Sequence, residues 1–247
     1  MSARGWNATH IEVKTGEHAI VELRELRNRV KVFRDREHAG EVLAGMLAEY
    51  RGTDTRVLGI LAGGVPVAAA ISRALELPLD VAVVSKITLP WNSEMGYGAV
   101  AFDGTVQLND ALIQNLGLAH RDVETGIART REKVNSRLRR FRAEPAAALA
   151  GHAVILVDDG LASGFTLLTA IAAVQHAQPA RLWVAVPTGH GDSAQRIAAE
   201  VDALYCANVR TTHGFAVADA YERWSDVSED DAFALLRAAR RPDGTAH

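Results

Sequence analysis

Short aliphatic runs recur along the chain, and each stops at small or charged residues: Arg56-Val57-Leu58-Gly59-Ile60-Leu61, Leu79-Asp80-Val81-Ala82-Val83-Val84-Ser85, Val154-Ile155-Leu156-Val157, Arg181-Leu182-Trp183-Val184-Ala185-Val186-Pro187 and Ala203-Leu204-Tyr205-Cys206. Runs with little polar alternation read as strands buried on both faces, as in a parallel sheet. Between them the apolar period becomes helical. Ala39, Val42, Leu43, Met46 and Leu47 share a face within Arg34 to Tyr50, and Val123, Ile127, Val134, Leu138 and Phe141 do so within Ala119 to Phe141. Leu167 to Val174, Ser193 to Glu200 and a stretch opened by Ser228-Glu229-Asp230-Asp231 complete the helices, the last with a serine N-cap and acids in its first turn. This alternation predicts an α/β fold with a doubly wound, mostly parallel sheet that binds ligands at its strand C-termini.

Two segments fall outside the alternation. Residues 1–32 read as an N-terminal extension, with half-exposed strands at Ile11-Glu12-Val13-Lys14 and Arg29-Val30-Lys31-Val32 around a polar stretch, serving as structural cover or a dimer contact. Residues 86–108 form a long connection. Pro90, Gly96 and Gly98 among aromatic and acidic side chains suggest a mobile lid, and Asp103-Gly104 is a hairpin-turn signal near its end.

Composition narrows the function classes. A chain of 247 residues suits one α/β domain with elaborations. With 27 Lys+Arg against 30 Asp+Glu the net charge is -3, so no general basic field points to nucleic acid and any phosphate site must be local. Arg129, Arg131, Lys133, Arg137, Arg139 and Arg140 cluster on one helix and read as a solvated face. The single cysteine, Cys206, lies in an apolar context and reads as a packing residue. The nine histidines show no metal-binding spacing. The N-terminus lacks a signal-peptide core, and the most apolar run, Val57 to Ile71, is too short and broken by Gly63-Gly64 and Pro66 to span a bilayer. A cytoplasmic protein without membrane or nucleic-acid partners is expected.

The chemistry gathers where the strands end. Val154 to Val157 stops at Asp158-Asp159, followed by a loop of mostly small residues and by a helical pattern from Thr166. Free backbone N–H groups at such a helix start, with the Ser163 and Thr166 hydroxyls, make an anion site. The acids need another partner: sugar hydroxyls, reached directly or through a Mg²⁺ that neutralises them. A ligand carrying both a phosphate and a vicinal diol satisfies both halves. Ala62-Gly63-Gly64-Val65-Pro66 is a second strand-to-helix loop, in which the glycines allow close backbone approach.

Val154 to Thr166 resembles the phosphoribosyl pyrophosphate (PRPP) signature of the type I phosphoribosyltransferases: four aliphatics, Asp-Asp, a few small or apolar residues, then Ser-Gly-x-Thr. The resemblance covers residues 33–247 and implies a Rossmann-like transferase domain that moves ribose 5-phosphate from PRPP to a nitrogenous base and releases pyrophosphate, with Mg²⁺ as cofactor. It implies that Ala162, Ser163, Gly164, Phe165 and Thr166 hold the 5′-phosphate, that Asp158 and Asp159 take the ribose hydroxyls and the metal, and that Ala62, Gly63 and Gly64 form the pyrophosphate loop. Relatives often carry an arginine where Ala62 stands, so a cation must come from elsewhere. Lys86, expected at a strand end, is either that cation or a solvated lysine.

The 86–108 segment takes the place of the family's flexible loop. Because Ala162 stands where 6-oxopurine enzymes carry an acid, Glu94 is the candidate for proton handling. A C-terminal hood at about 207–227 would hold a small planar base, with Phe215, Tyr221 or Trp224 stacking on it. Core packing is the alternative for each ring. The family is commonly dimeric, which implies a homodimer. Two other readings stay open: a non-catalytic PRPP or nucleotide sensor of the same fold, and a phosphoribosyl hydrolase.

Overall fold

The computed structural model describes residues 10–15, 18–89, 91–212 and 214–240. In chain order the elements are β1 (His10–Thr15), β2 (His18–Leu23), α1 (Arg36–Met46), β3 (Arg56–Ile60), α2 (Gly64–Leu75), β4 (Leu79–Ala82), β5 (Val84–Leu89), β6 (Asn92–Ala101) and β7 (Val106–Leu108). There follow α3 (Asp110–Leu116), α4 (His120–Phe141), β8 (Ala153–Val157), α5 (Phe165–His176), β9 (Arg181–His190), α6 (Gly191–Ala198), β10 (Ala203–Arg210) and α7 (Glu229–Ala239). Short 3₁₀ turns include Ala48–Tyr50 and Val217–Ala220.

The main sheet has seven strands in the order β1-β2-β10-β9-β8-β3-β4. The β1–β2 pair is antiparallel; every other pair in this sheet is parallel. The aliphatic runs do bury both faces, and the two-residue period of a strand shows how. Ile155 and Val157 enter one core, with residues of α1, α2 and α7, while Val154 and Leu156 enter the other, with Leu167, Ile171 and Val174 of α5 and Ile197 of α6. Cys206 is buried in the second core. Among the described residues no helix is long and apolar enough to cross a membrane.

Three expectations need correction. The second strand of the N-terminal segment is not at Arg29–Val32 but at β2, which pairs in parallel with β10 and places Leu23 in the core. β1 and β2 are therefore strands of the main sheet. Leu79 to Ser85 is not one continuous strand: β4 ends at Ala82 and β5 begins at Val84. Among the described residues β4 pairs only with β3, and that ladder ends at Ile60↔Ala82, where β3 turns into the glycine loop. Backbone groups beyond that point need other partners and find them in β6. The 86–108 connection is thus largely a three-stranded antiparallel sheet, β5-β6-β7, whose turn at Asp103-Gly104 has Gly104 at φ 93° as the hairpin signal predicted. Ile87, Tyr97 and Val100 of this sheet pack with Val123 and Val134 of α4.

Candidate active site at the strand C-termini

The acid pair is displayed by a lapse in the ladder. Asp158 N–H still donates to the Ala185 carbonyl at 3.3 Å, and pairing with β9 resumes at Leu161, whose N–H donates to Thr188 O at 2.9 Å. Asp159 and Gly160 lie between. Gly160 is required there for close approach: a Cβ would sit 2.3 Å from Val217 Cγ1 in the 3₁₀ turn after β10. Gly164 adopts φ 75° and is the N-cap of α5, with no side chain capping the helix. The first-turn N–H groups of α5 therefore face the loop end, the arrangement that binds anions. Ala162 and Ser163 are exposed, and Phe165 and Thr166 half-buried. The Ser163 carbonyl accepts from Arg196 Nη2 at 2.9 Å, which ties the loop to α6.

The second glycine loop packs directly on these acids. A Cβ on Gly63 would lie 2.2 Å from Asp159 Oδ2, and one on Gly64 would lie 2.5 Å from Val157 O and 3.3 Å from Asp158 Oδ1. Ala62 precedes them, half-buried, and the Leu61–Ala62 peptide is cis. Two loops far apart in sequence thus form one surface with the carboxyls.

Burial holds Asp158 well above the usual carboxylate range, and the neighbouring Asp159 charge adds to it; Arg36 and Lys86 oppose. Burial also raises Asp159, against the opposing charge and hydrogen bond of Arg36. Two desolvated carboxyls side by side favour a cation. Their chemistry fits Mg²⁺, which binds through one or two carboxylates and completes its shell with water and substrate oxygens. Among the described residues no three His, Cys, Asp or Glu side chains cluster to enclose a metal by themselves.

Lys86 is exposed on β5, opposite Ala99, rather than at the end of a parallel strand, yet its charge reaches Asp158. Glu94 belongs to the backbone of β6; its side chain lies outside the described residues. Tyr221 is 3% exposed, enclosed in the core, and donates its hydroxyl to the Asp159 carbonyl at 2.6 Å. Its ring supports the acid instead of presenting a stacking face. Trp224 is 39% exposed. Phe215 is half-buried beside His190, ring centroids 6.0 Å apart, with Arg210 over its ring.

Sequence reasoning missed Arg36. Its Nε donates to Asp159 Oδ2 at 2.8 Å, its Nη1 donates to Ser225 O at 2.7 Å, and its guanidinium lies 3.8 Å from the Trp224 ring centroid. The one local signal is Asp35, the N-cap of α1, which places Arg36 in the first helical turn.

A cavity of about 860 Å³ lies elsewhere. It is lined by Gln175, Pro179, Trp183, Glu200 and Asp202 at the N-terminal ends of β9 and β10. Volume and chemistry separate here, and the chemistry of acids and helix N-terminus lies at the edge where parallel sheets bind ligands.

Known proteins resemble the chain over most of its length. A Mycobacterium tuberculosis protein named "Putative phosphoribosyl transferase Rv0571c" is 33% identical over 213 residues. The match covers 86% of this chain and 48% of the relative, so the chain spans about half the length of the curated relatives it matches. The crystal structure of TT1426 from Thermus thermophilus superposes with a TM-score of 0.65 at 33% identity, covering 83% of this chain and 97% of that one. A Staphylococcus aureus hypoxanthine phosphoribosyltransferase aligns over 75% of this chain and 78% of its own, at 15% identity and a TM-score of 0.44, too distant a likeness to say anything of an acceptor. The family model described as a phosphoribosyl transferase domain matches residues 102–220. That span runs from the end of β6 through the acid pair, the loop that follows it and the turn at Val217–Ala220, and the chain belongs to the phosphoribosyltransferase family.

Proposed function

We propose that the protein transfers the ribose 5-phosphate of PRPP to a small planar nitrogenous base and releases pyrophosphate, in a Mg²⁺-dependent reaction. The observation that carries this reading is the contact between the two loops: Gly63 and Gly64 lie against Asp159 and Asp158. A ligand with a phosphate at the α5 N-terminus and a diphosphate at the glycine turn would straddle the acid pair.

In this reading the first-turn N–H groups of α5, with the Ser163 and Thr166 hydroxyls, bind the 5′-phosphate. Asp158 and Asp159 orient the ribose hydroxyls. Their negative charge also favours the positive charge that develops on the sugar as the C1′–O bond to pyrophosphate breaks. The Gly63-Gly64 turn receives the leaving group, with Lys86 as the accessible cation. Asp158 and Asp159 would hold Mg²⁺, which would supply charge neutralisation for the leaving pyrophosphate. The base nitrogen forms the new bond to C1′, stacked on Trp224 or Phe215, and Glu94 takes its proton.

Titration calorimetry of PRPP with and without Mg²⁺, on wild type and on Asp158→Asn/Asp159→Asn, tests the site. Mg²⁺-dependent binding that the double variant loses supports the reading, and a folded wild type that ignores PRPP rejects it. Pyrophosphate release then sorts the chemistry. Release only with a base present identifies transfer, and release without one identifies hydrolysis. Binding with neither identifies a sensor, the reading that Ala62 in the pyrophosphate loop favours.

A further inference from the structure

The start of α1 and the hood form a clamp made largely of backbone. Phe33 N–H donates to Ala220 O at 2.9 Å, Glu222 N–H to Phe33 O at 2.8 Å and Arg223 N–H to Arg34 O at 2.9 Å. Phe33 is fully buried with its ring 5.7 Å from that of Tyr221, and Asp35 pairs with Arg223. Arg36 extends from this clamp to Asp159. Its side chain is 10% exposed and meets three groups at once: the Asp159 carboxylate, the Ser225 carbonyl and the face of Trp224. A planar guanidinium can donate in its plane and stack over a ring at the same time, which an ammonium cannot.

We propose that Arg36 is a positioning residue that fastens the hood ring Trp224 to the Asp159 carboxylate, so that ligand captured at the acid is registered at the face offered to the acceptor. The role rests on the reading of Asp159 as the acid that meets PRPP. Trp224 has one face on Arg36 and remains 39% exposed, so a planar acceptor stacked on it would share the orientation that Arg36 imposes on the acid. The two halves of the site would then be aligned by the Arg36 side chain, backed by Tyr221, which donates to the Asp159 carbonyl and whose ring centroid lies 5.0 Å from that of Trp224. Asp159 would lose its charged partner without Arg36, while the backbone bonds of the clamp would remain.

The test compares wild type, Arg36→Met and Arg36→Lys. Methionine keeps an apolar stem. Lysine keeps the charge without the fork. Thermal melting checks that both fold, as the clamp predicts. Two quantities are then read: calorimetric affinity for PRPP with Mg²⁺, and Trp224 fluorescence, obtained by subtracting the spectrum of the Trp224→Phe protein in each background. In wild type the Trp224 signal should change as PRPP and Mg²⁺ bind. In Arg36→Met that response should vanish and the affinity fall by at least about tenfold. In Arg36→Lys the affinity should recover in part while the response stays absent.

An arginine with only a structural role would lower the melting temperature and leave the Trp224 response intact. The proposal is overturned if Arg36→Met keeps wild-type affinity, or if bound PRPP leaves wild-type Trp224 unchanged. Should wild type bind no PRPP at all, the reading of the site fails first, and the unliganded proteins decide the tie separately. Trp224 emission altered by Arg36→Met supports the fastening, and emission identical to wild type removes it.

Discussion

A Cβ on Gly63 would lie 2.2 Å from Asp159 Oδ2, so the glycine turn and the acid pair share one van der Waals surface. Arg36 holds the same oxygen at 2.8 Å, which limits the carboxylate's room to retreat. Gly63→Ala is therefore expected to overpack the site, at a cost of about 1–3 kcal/mol. PRPP affinity should fall with it. Urea unfolding and calorimetry check both quantities, and a variant unchanged in each would mean that the acid swings freely.

Asp158 carries a signed pH dependence. Burial, then the Asp159 charge, raises its pKa well above the ordinary 3.8, so the folded protein holds this proton more tightly than the unfolded chain does. The stability it contributes is complete below pH 3.8 and is lost as pH rises through the raised folded value. Asp158→Asn never ionises. Without ligand it should melt above wild type at neutral pH, with the difference closing in acid. Melting curves across that range check this, and a variant that is less stable at neutral pH would contradict it. Added Mg²⁺ should narrow the neutral-pH gap by stabilising only the wild type.

Gly164 joins the loop after the acid pair to α5 at φ 75°. An alanine there would adopt the left-handed region at a cost of about 1–2 kcal/mol. Its Cβ would also stand 3.0 Å from Leu161 Cδ1. Gly164→Ala should thus unfold at lower urea and bind ribose 5-phosphate more weakly, because the N–H groups of the first turn would be re-aimed. Equal ribose 5-phosphate affinity by calorimetry would detach the phosphate site from this helix start.

Tyr221 donates its hydroxyl to the Asp159 carbonyl from within the core. Tyr221→Phe keeps the ring and leaves that carbonyl without its donor, at an expected cost of about 1–3 kcal/mol. Thermal melting reads the loss. Trp224→Ala should behave differently: Trp224 lies at the surface, so base-dependent turnover should suffer far more than stability. Equal stability losses in the two variants would argue that both rings are only packing.

The sequence alone determined what depends on neighbours a few positions away. Val154 to Val157 could be read as a strand buried on both faces because a strand alternates its sides every two residues and all four side chains are aliphatic. The Ser163-Gly164-x-Thr166 spacing was equally legible as a loop leading into a helix, because a helix start is built from consecutive backbone. The turn at Asp103-Gly104 was read for the same reason.

Tertiary structure decided the rest. The run Leu79 to Ser85 reads as one strand and puts Lys86 at a parallel strand's end; only the end of the β3–β4 ladder at Ala82 sends the chain into a second sheet. β2 joins the main sheet through β10, a partner encoded far along the chain. Arg36 and Asp159 stand 123 positions apart, and nothing near either residue marks the other. A local pattern records which face of an element is buried and where the element stops. Which elements meet is settled by packing two cores on one sheet, and with it which cation reaches the acid.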